Sequence, residues 1–172
     1  MFFCYATSMH SKTFILFVRN FIFGAEDSLV STVGLLAGVA SAGIPRKEII
    51  ISGVVLIFVE AFSMGVGSFL SEKTTEESQI DNQEKFSDSL IASVIMFFSY
   101  FISGLIPLFP YLIQSNTNAF WQSIIASLIA LFILGFLSAK ILKTKLFKNA
   151  LRMLLIGGMA IALGVIVGII IK

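Results

Sequence analysis

The chain has 172 residues, of which 57% are hydrophobic and only 13% charged, and its mean hydropathy is +0.97. That charge share is about half of what a soluble globular domain carries, too little to cover a solvated surface, so a soluble protein is excluded. A net charge of +2 excludes a nucleic-acid footprint, one Cys excludes an internal disulfide framework, and one His with one Cys excludes a zinc-type His/Cys cluster.

Residues 1–23 do not read as a signal peptide, because Lys12 and Arg19 follow the apolar start instead of preceding it. The stretch 12–23 predicts a short interfacial helix, with Phe14, Phe17, Phe21 and Phe23 toward lipid or the bundle. A disordered leader is the plainer alternative.

The spans are read as gaps between charges. Ser28 to Pro45 carries none, Ile49 to Ser71 carries only Glu60, Ser89 to Ala139 carries none over 51 residues, and Met153 to Ile171 carries none. A helix needs roughly 20 apolar residues to cross the hydrocarbon core, so the 51-residue gap holds two spans, broken at Gln114-Ser-Asn-Thr-Asn118. The expectation is an all-α integral membrane protein with five transmembrane helices near 24–43, 49–71, 89–113, 119–141 and 150–171. Lipid offers the backbone no hydrogen-bond partner, so each span must be helical. In modular terms, an N-terminal segment 1–23 precedes helices one and two (24–71), an acidic linker (72–88) and helices three to five (89–172).

Basic residues set the orientation. With the N-terminus cytoplasmic and the C-terminus outside, the inner side carries Lys12, Arg19, Lys73, Lys85, Lys140, Lys143, Lys145, Lys148 and Arg152, against Arg46, Lys47 and Lys172 outside. From Glu72 to Asp88 the linker holds six acids and two lysines. Glu72 and Glu76, and likewise Glu77 and Asp81, share a helix face if helix two runs on. A solvated connector is the plain reading; the functional one is a cation-attracting mouth, with Glu72, Glu76 and Glu77 as capture residues.

An acidic group at mid-span costs about 2.5–3.5 kcal/mol on the insertion scale. Glu60 lies near the middle of span two with no basic residue inside any span to pair with it, which favours a functional role. Asp27 lies near the inner end of span one, where it is either a cap, a snorkelling residue or a ligand. Counted from Gly43 and Glu48, Asp27 and Met64 both sit roughly 24 Å from the outer loop, with Glu60 one turn shallower. Two carboxylates with a thioether suit a divalent transition metal, and the sulfur tilts the choice toward a softer ion such as Fe²⁺. A Met in an apolar helix is otherwise ordinary packing.

Two small-residue stripes, Gly34/Gly38/Ala42 and Ala160/Gly164/Gly168, permit close helix approach, within or between subunits. Pro107 and Pro110 predict a kink in span three. No Walker motif is present, which argues against primary pumping.

The run from Phe21 to Ala40 (Phe-Ile-Phe-Gly-Ala-Glu-Asp-Ser-Leu-Val-Ser-Thr-Val-Gly-Leu-Leu-Ala-Gly-Val-Ala) resembles the first-span signature of the vacuolar iron transporter (VIT) family. Glu60-Ala-Phe-Ser-Met-Gly-Val-Gly-Ser-Phe-Leu-Ser71 resembles its second span, and Ser103-Gly-Leu-Ile-Pro-Leu-Phe-Pro110 its third. The resemblance implies a homodimeric transporter that exports Fe²⁺ or Mn²⁺ from the cytosol in exchange for protons, with no tightly bound cofactor. It places Asp27 and Met64 on the ion path. The family's span-two Glu falls here on Leu56, and Glu60 stands one turn nearer the Met. The linker of about 17 residues is too short for the family's three-helix metal-binding domain, since each helix alone needs roughly 10 residues. The expectation is a short form in a prokaryotic plasma membrane, metal-proton antiport by ligand deprotonation, and no enzymatic activity. The rival reading is a non-transporting membrane scaffold or assembly protein, which leaves Glu60 unexplained.

Overall fold

The computed structural model describes residues 2–78, 86–114 and 116–172, with side chains at 13–75, 86–114 and 118–172. These residues form five helices and no strand: α1 (Phe2–Ser41), α2 (Arg46–Ser78), α3 (Phe86–Ile113), α4 (Asn116–Ile141) and α5 (Leu146–Ile171). All five are long and apolar enough to cross a membrane.

Two boundaries differ from expectation. Residues 12–23 are not a separate helix, because α1 runs unbroken from Phe2 to Ser41. No Gly or Pro interrupts that stretch, and Leu16 and Asn20 are buried on one face while Phe14, Phe21 and Phe23 stay exposed on the other. The acidic linker is also shorter than 72–88, because α2 continues to Ser78. Glu72 and Glu76 therefore sit one turn apart on a single helix. The side chains of Glu76 and Glu77, and residue Asp81 altogether, lie outside the described residues.

Burial runs opposite to hydropathy. α5 is the most apolar of the five spans and the least buried, whereas α1 is the least apolar and the most buried. Lipid is as apolar as Leu, so large aliphatic side chains gain nothing by facing inward. Small and hydroxyl-bearing residues therefore share the interior with a core of Leu36, Ile49, Ile57 and Leu108. Ser28, Thr32, Ser93, Ser99, Ser123, Ser127 and Ser138 are all buried.

α3 packs against both α1 and α2, while α1 and α2 share the fewest contacts among the packed pairs, and α1 also lies along α5. The α1–α5 seam joins the two small-residue stripes within one chain. A Cβ at Gly38 would stand 2.7 Å from the Gly164 carbonyl oxygen, and one at Gly164 or Gly168 would overlap the carbonyl oxygen of Gly34 or Gly38. α3 continues through Pro107 and Pro110. Its last carbonyls, on Tyr111 and Leu112, accept 2.6 Å hydrogen bonds from Arg46.

Two tight turns close the helix ends. Gly43 has φ +80°, the left-handed conformation a helix C-terminus needs, and Gly43 and Ile44 donate back to Ala40 and Val39. Lys143 takes the same left-handed role after α4, at φ 53°. A β-carbon there is sterically costly.

Candidate metal-ion site

Asp27 projects from α1, and Glu60 and Met64 from one face of α2; all three are half-buried. Their relative depth differs from the expected one. Asp27 lies as many residues before Ser41 as Glu60 lies after Arg46, so it stands level with Glu60 and not with Met64. Gly43 and Glu48 are not equivalent markers of depth, because the helix ends are asymmetric about that turn. A hydrogen bond of 2.6 Å from Ser68 to Asn20 carries the same antiparallel register further along the pair. Asp27 and Glu60 are near enough that their charges oppose each other. Leu56, where the family's Glu would fall, is half-buried one turn beyond Glu60 toward the α1–α2 turn.

Sequence reasoning missed Tyr100. This residue of α3 is fully buried and lies within electrostatic reach of both Asp27 and Glu60. Its hydroxyl shares a 2.7 Å hydrogen bond with Ser31, one turn beyond Asp27 on the same face of α1. Its carbonyl accepts a 2.6 Å bond from Ser28. The acidic pair thus rests against a hydroxyl-bearing wall from the helix between them. A Tyr in an apolar span reads as packing, and only the placement of α3 brings Tyr100 to the acidic pair. Glu26 points away and lies near Arg152 of α5 and beside Asp27 in the chain.

A cavity of about 520 Å³ lies between α1, α2 and α3 toward the α2–α3 end. Met64 and Phe23 line it at one level, Asn20 and Ser68 at the next, and Glu72 with Arg19 farther out. Met96 of α3 adds a second thioether. From Met64 the next turn of α2 carries Glu60, roughly 6 Å deeper. The cavity therefore leads from an acidic group, past two sulfur atoms, toward the Asp27/Glu60 level. Glu72 is engaged by Arg19 in an ion pair.

Among the described residues no three His, Cys, Asp or Glu side chains come together. The candidate ligand set is accordingly mixed: two carboxylates, a thioether and neutral oxygens. Sulfur beside oxygen donors suits a divalent transition ion better than calcium, which is held by oxygen ligands alone.

Sequence comparisons with known proteins show the family. A sequence model described as the VIT family matches residues 18–90 and 75–169. A vacuolar iron transporter of Plasmodium berghei is 24% identical over 224 residues, covering 90% of this chain and 82% of its own length. That alignment is longer than the present chain, so the relative carries segments absent here. Vacuolar iron transporter homolog 1 of Arabidopsis thaliana is 28% identical over 156 residues, covering 84% of this chain and 78% of its own. Vacuolar iron transporter 1 of rice is 23% identical over 205 residues, covering 84% and 81%.

Proposed function

The chain belongs to the VIT family, and from that we propose that it carries a divalent transition metal ion, Fe²⁺ or Mn²⁺, out of the cytosol in exchange for protons. The observation that supports this reading is the pair Asp27 and Glu60, half-buried on α1 and α2 and close enough for their charges to oppose each other, with Glu60 one helical turn beyond the Met64 that lines the cavity. Two acidic groups near each other and half withdrawn from water within the spans favour a counter-charge. A divalent cation supplies it, and so do protons, but the two exclude each other because a metal ligand must be deprotonated. That exclusion couples the fluxes without ATP.

In this reading the α2–α3 end faces the cytosol, as the basic residues favour. The ion enters by the cavity, with Glu72, Glu76 and Glu77 drawing cations toward the mouth. Met64 biases the path toward softer ions, and Asp27 and Glu60 bind the ion at mid-depth. Release follows when the opposite side opens and protons return. A homodimer is the assembly we assign, on the family likeness.

The test is uptake of Fe²⁺, Mn²⁺, Co²⁺ and Zn²⁺ by proteoliposomes with and without a pH gradient. The reading expects Fe²⁺ or Mn²⁺ flux that rises with an opposing proton gradient. Equal flux by an Asp27→Asn, Glu60→Gln double variant would overturn it.

A further inference from the structure

The mouth of the cavity is already occupied by a cation, one that belongs to the chain. Arg19 of α1 reaches across to Glu72 of α2 and forms an ion pair. The two partners are unequal. The Glu72 side chain is 13% exposed, whereas that of Arg19 is 65% exposed. The carboxylate is built into the wall, and the guanidinium is an arm laid over it from the open side. One turn deeper, Ser68 and Asn20 close the gap between the same two helices by a hydrogen bond. Asn20 is 4% exposed and is itself held by a 3.0 Å bond to the Leu16 carbonyl. Glu72 is the sole acidic side chain among the described residues that line this cavity. A divalent ion at the mouth and the Arg19 guanidinium therefore need the same carboxylate.

We infer that Glu72 forms an entry site for a divalent cation, with Ser68 and Asn20 as neutral oxygen donors one turn deeper, and that Arg19 is a tethered counter-cation which the incoming ion must displace. This rests on the cytosol-facing reading of the cavity given above. Bridging two helices that otherwise touch little, the pair also holds α1 to α2 while no ion is present. Loading the site with metal breaks that bridge, so arrival of the ion and loosening of the mouth are one event. A resident competitor raises the ion concentration needed for entry and spares the site from scarce or weakly bound cations.

The experiment is titration of the purified full chain with Mn²⁺, free ion being followed by electron paramagnetic resonance, beside Mn²⁺ uptake in proteoliposomes. Arg19→Gln is expected to lower the half-saturating Mn²⁺ concentration about fivefold, the worth of a partly exposed ion pair. Arg19→Lys keeps the competitor and should titrate like the parent chain. Glu72→Gln should weaken binding, and adding Arg19→Gln to it should then change nothing. An unchanged or raised midpoint in Arg19→Gln, or a Lys variant that behaves like Gln, overturns the inference. If the parent chain carries Mn²⁺ but its midpoint ignores Arg19, the entry site fails and the transport reading stands. If Mn²⁺ is neither bound nor carried, both fail.

Discussion

Ser68 of α2 donates a 2.6 Å hydrogen bond to the side-chain oxygen of Asn20 on α1, and this bond ties the two helices in the register that sets Asp27 opposite Glu60. The Asn20 end of the bond is buried and the Ser68 end lines the cavity, so the side-chain oxygen of Asn20 is the atom that would be costly to leave without a partner. It works as a ruler along the helix pair. Arg19 and Glu72 meet toward one end of it, and the acidic pair stands two turns toward the other.

Removing the ruler should disturb both stability and the site. Ser68→Ala leaves the buried side-chain oxygen of Asn20 without its donor, at a cost of about 1–3 kcal/mol. The check is thermal unfolding in detergent, with a lower midpoint expected for Ser68→Ala than for Asn20→Leu, which removes the buried polar group and leaves only a half-exposed hydroxyl unpaired.

Tyr100→Phe separates the hydroxyl from the ring. The ring keeps its place against α1, and only the bond to Ser31 is lost. Metal flux in proteoliposomes should fall several-fold without vanishing, while Asp27→Asn should abolish it. Equal loss in both would make Tyr100 a ligand in its own right.

The α1–α5 seam predicts a contrast between two glycines of one helix. Gly164→Ala puts a methyl group into the Gly34 carbonyl, and helix backbone cannot step aside. Gly158 has nothing within 4 Å of the added Cβ. Gly164→Ala should lower the yield of folded protein, whereas Gly158→Ala should be neutral or gain up to about 1 kcal/mol from helix propensity. Size-exclusion profiles and detergent melting read both.

Lys143 is a stabilising target. Its left-handed backbone, at φ 53°, closes α4 with the Thr144 amide donating 2.8 Å to the Ala139 carbonyl. Glycine takes that conformation freely, so Lys143→Gly should raise stability by about 1 kcal/mol, less what its freer unfolded chain costs. Detergent melting again decides, and a drop would show that the Lys side chain holds something there.

Much of the site is legible in the sequence because its parts are local. Glu60 stands out as a charge in an otherwise uncharged span, and Met64 follows one turn later on the same face. The residues that surround them are not legible in this way. Tyr100, Asn20, Ser68 and Met96 are ordinary members of their own helices and meet only across helix boundaries. The depth of Asp27 comes out one turn wrong when loop residues stand in for helix ends, since the exact end of each helix depends on how its turn closes.

The sequence by itself determined five helical spans, the end of the bundle to which each charge belongs, and the two acidic residues out of place. These follow from desolvation along a single chain, which every segment feels alone. The tertiary structure decided that α3 backs both α1 and α2, that the two glycine stripes meet each other, and that Asp27 stands level with Glu60. Lipid does not pull apolar faces together, so the pairing of helices is chosen by close backbone fit and a few buried hydrogen bonds. Those depend on three-dimensional matching between distant segments, which hydropathy along the chain does not record.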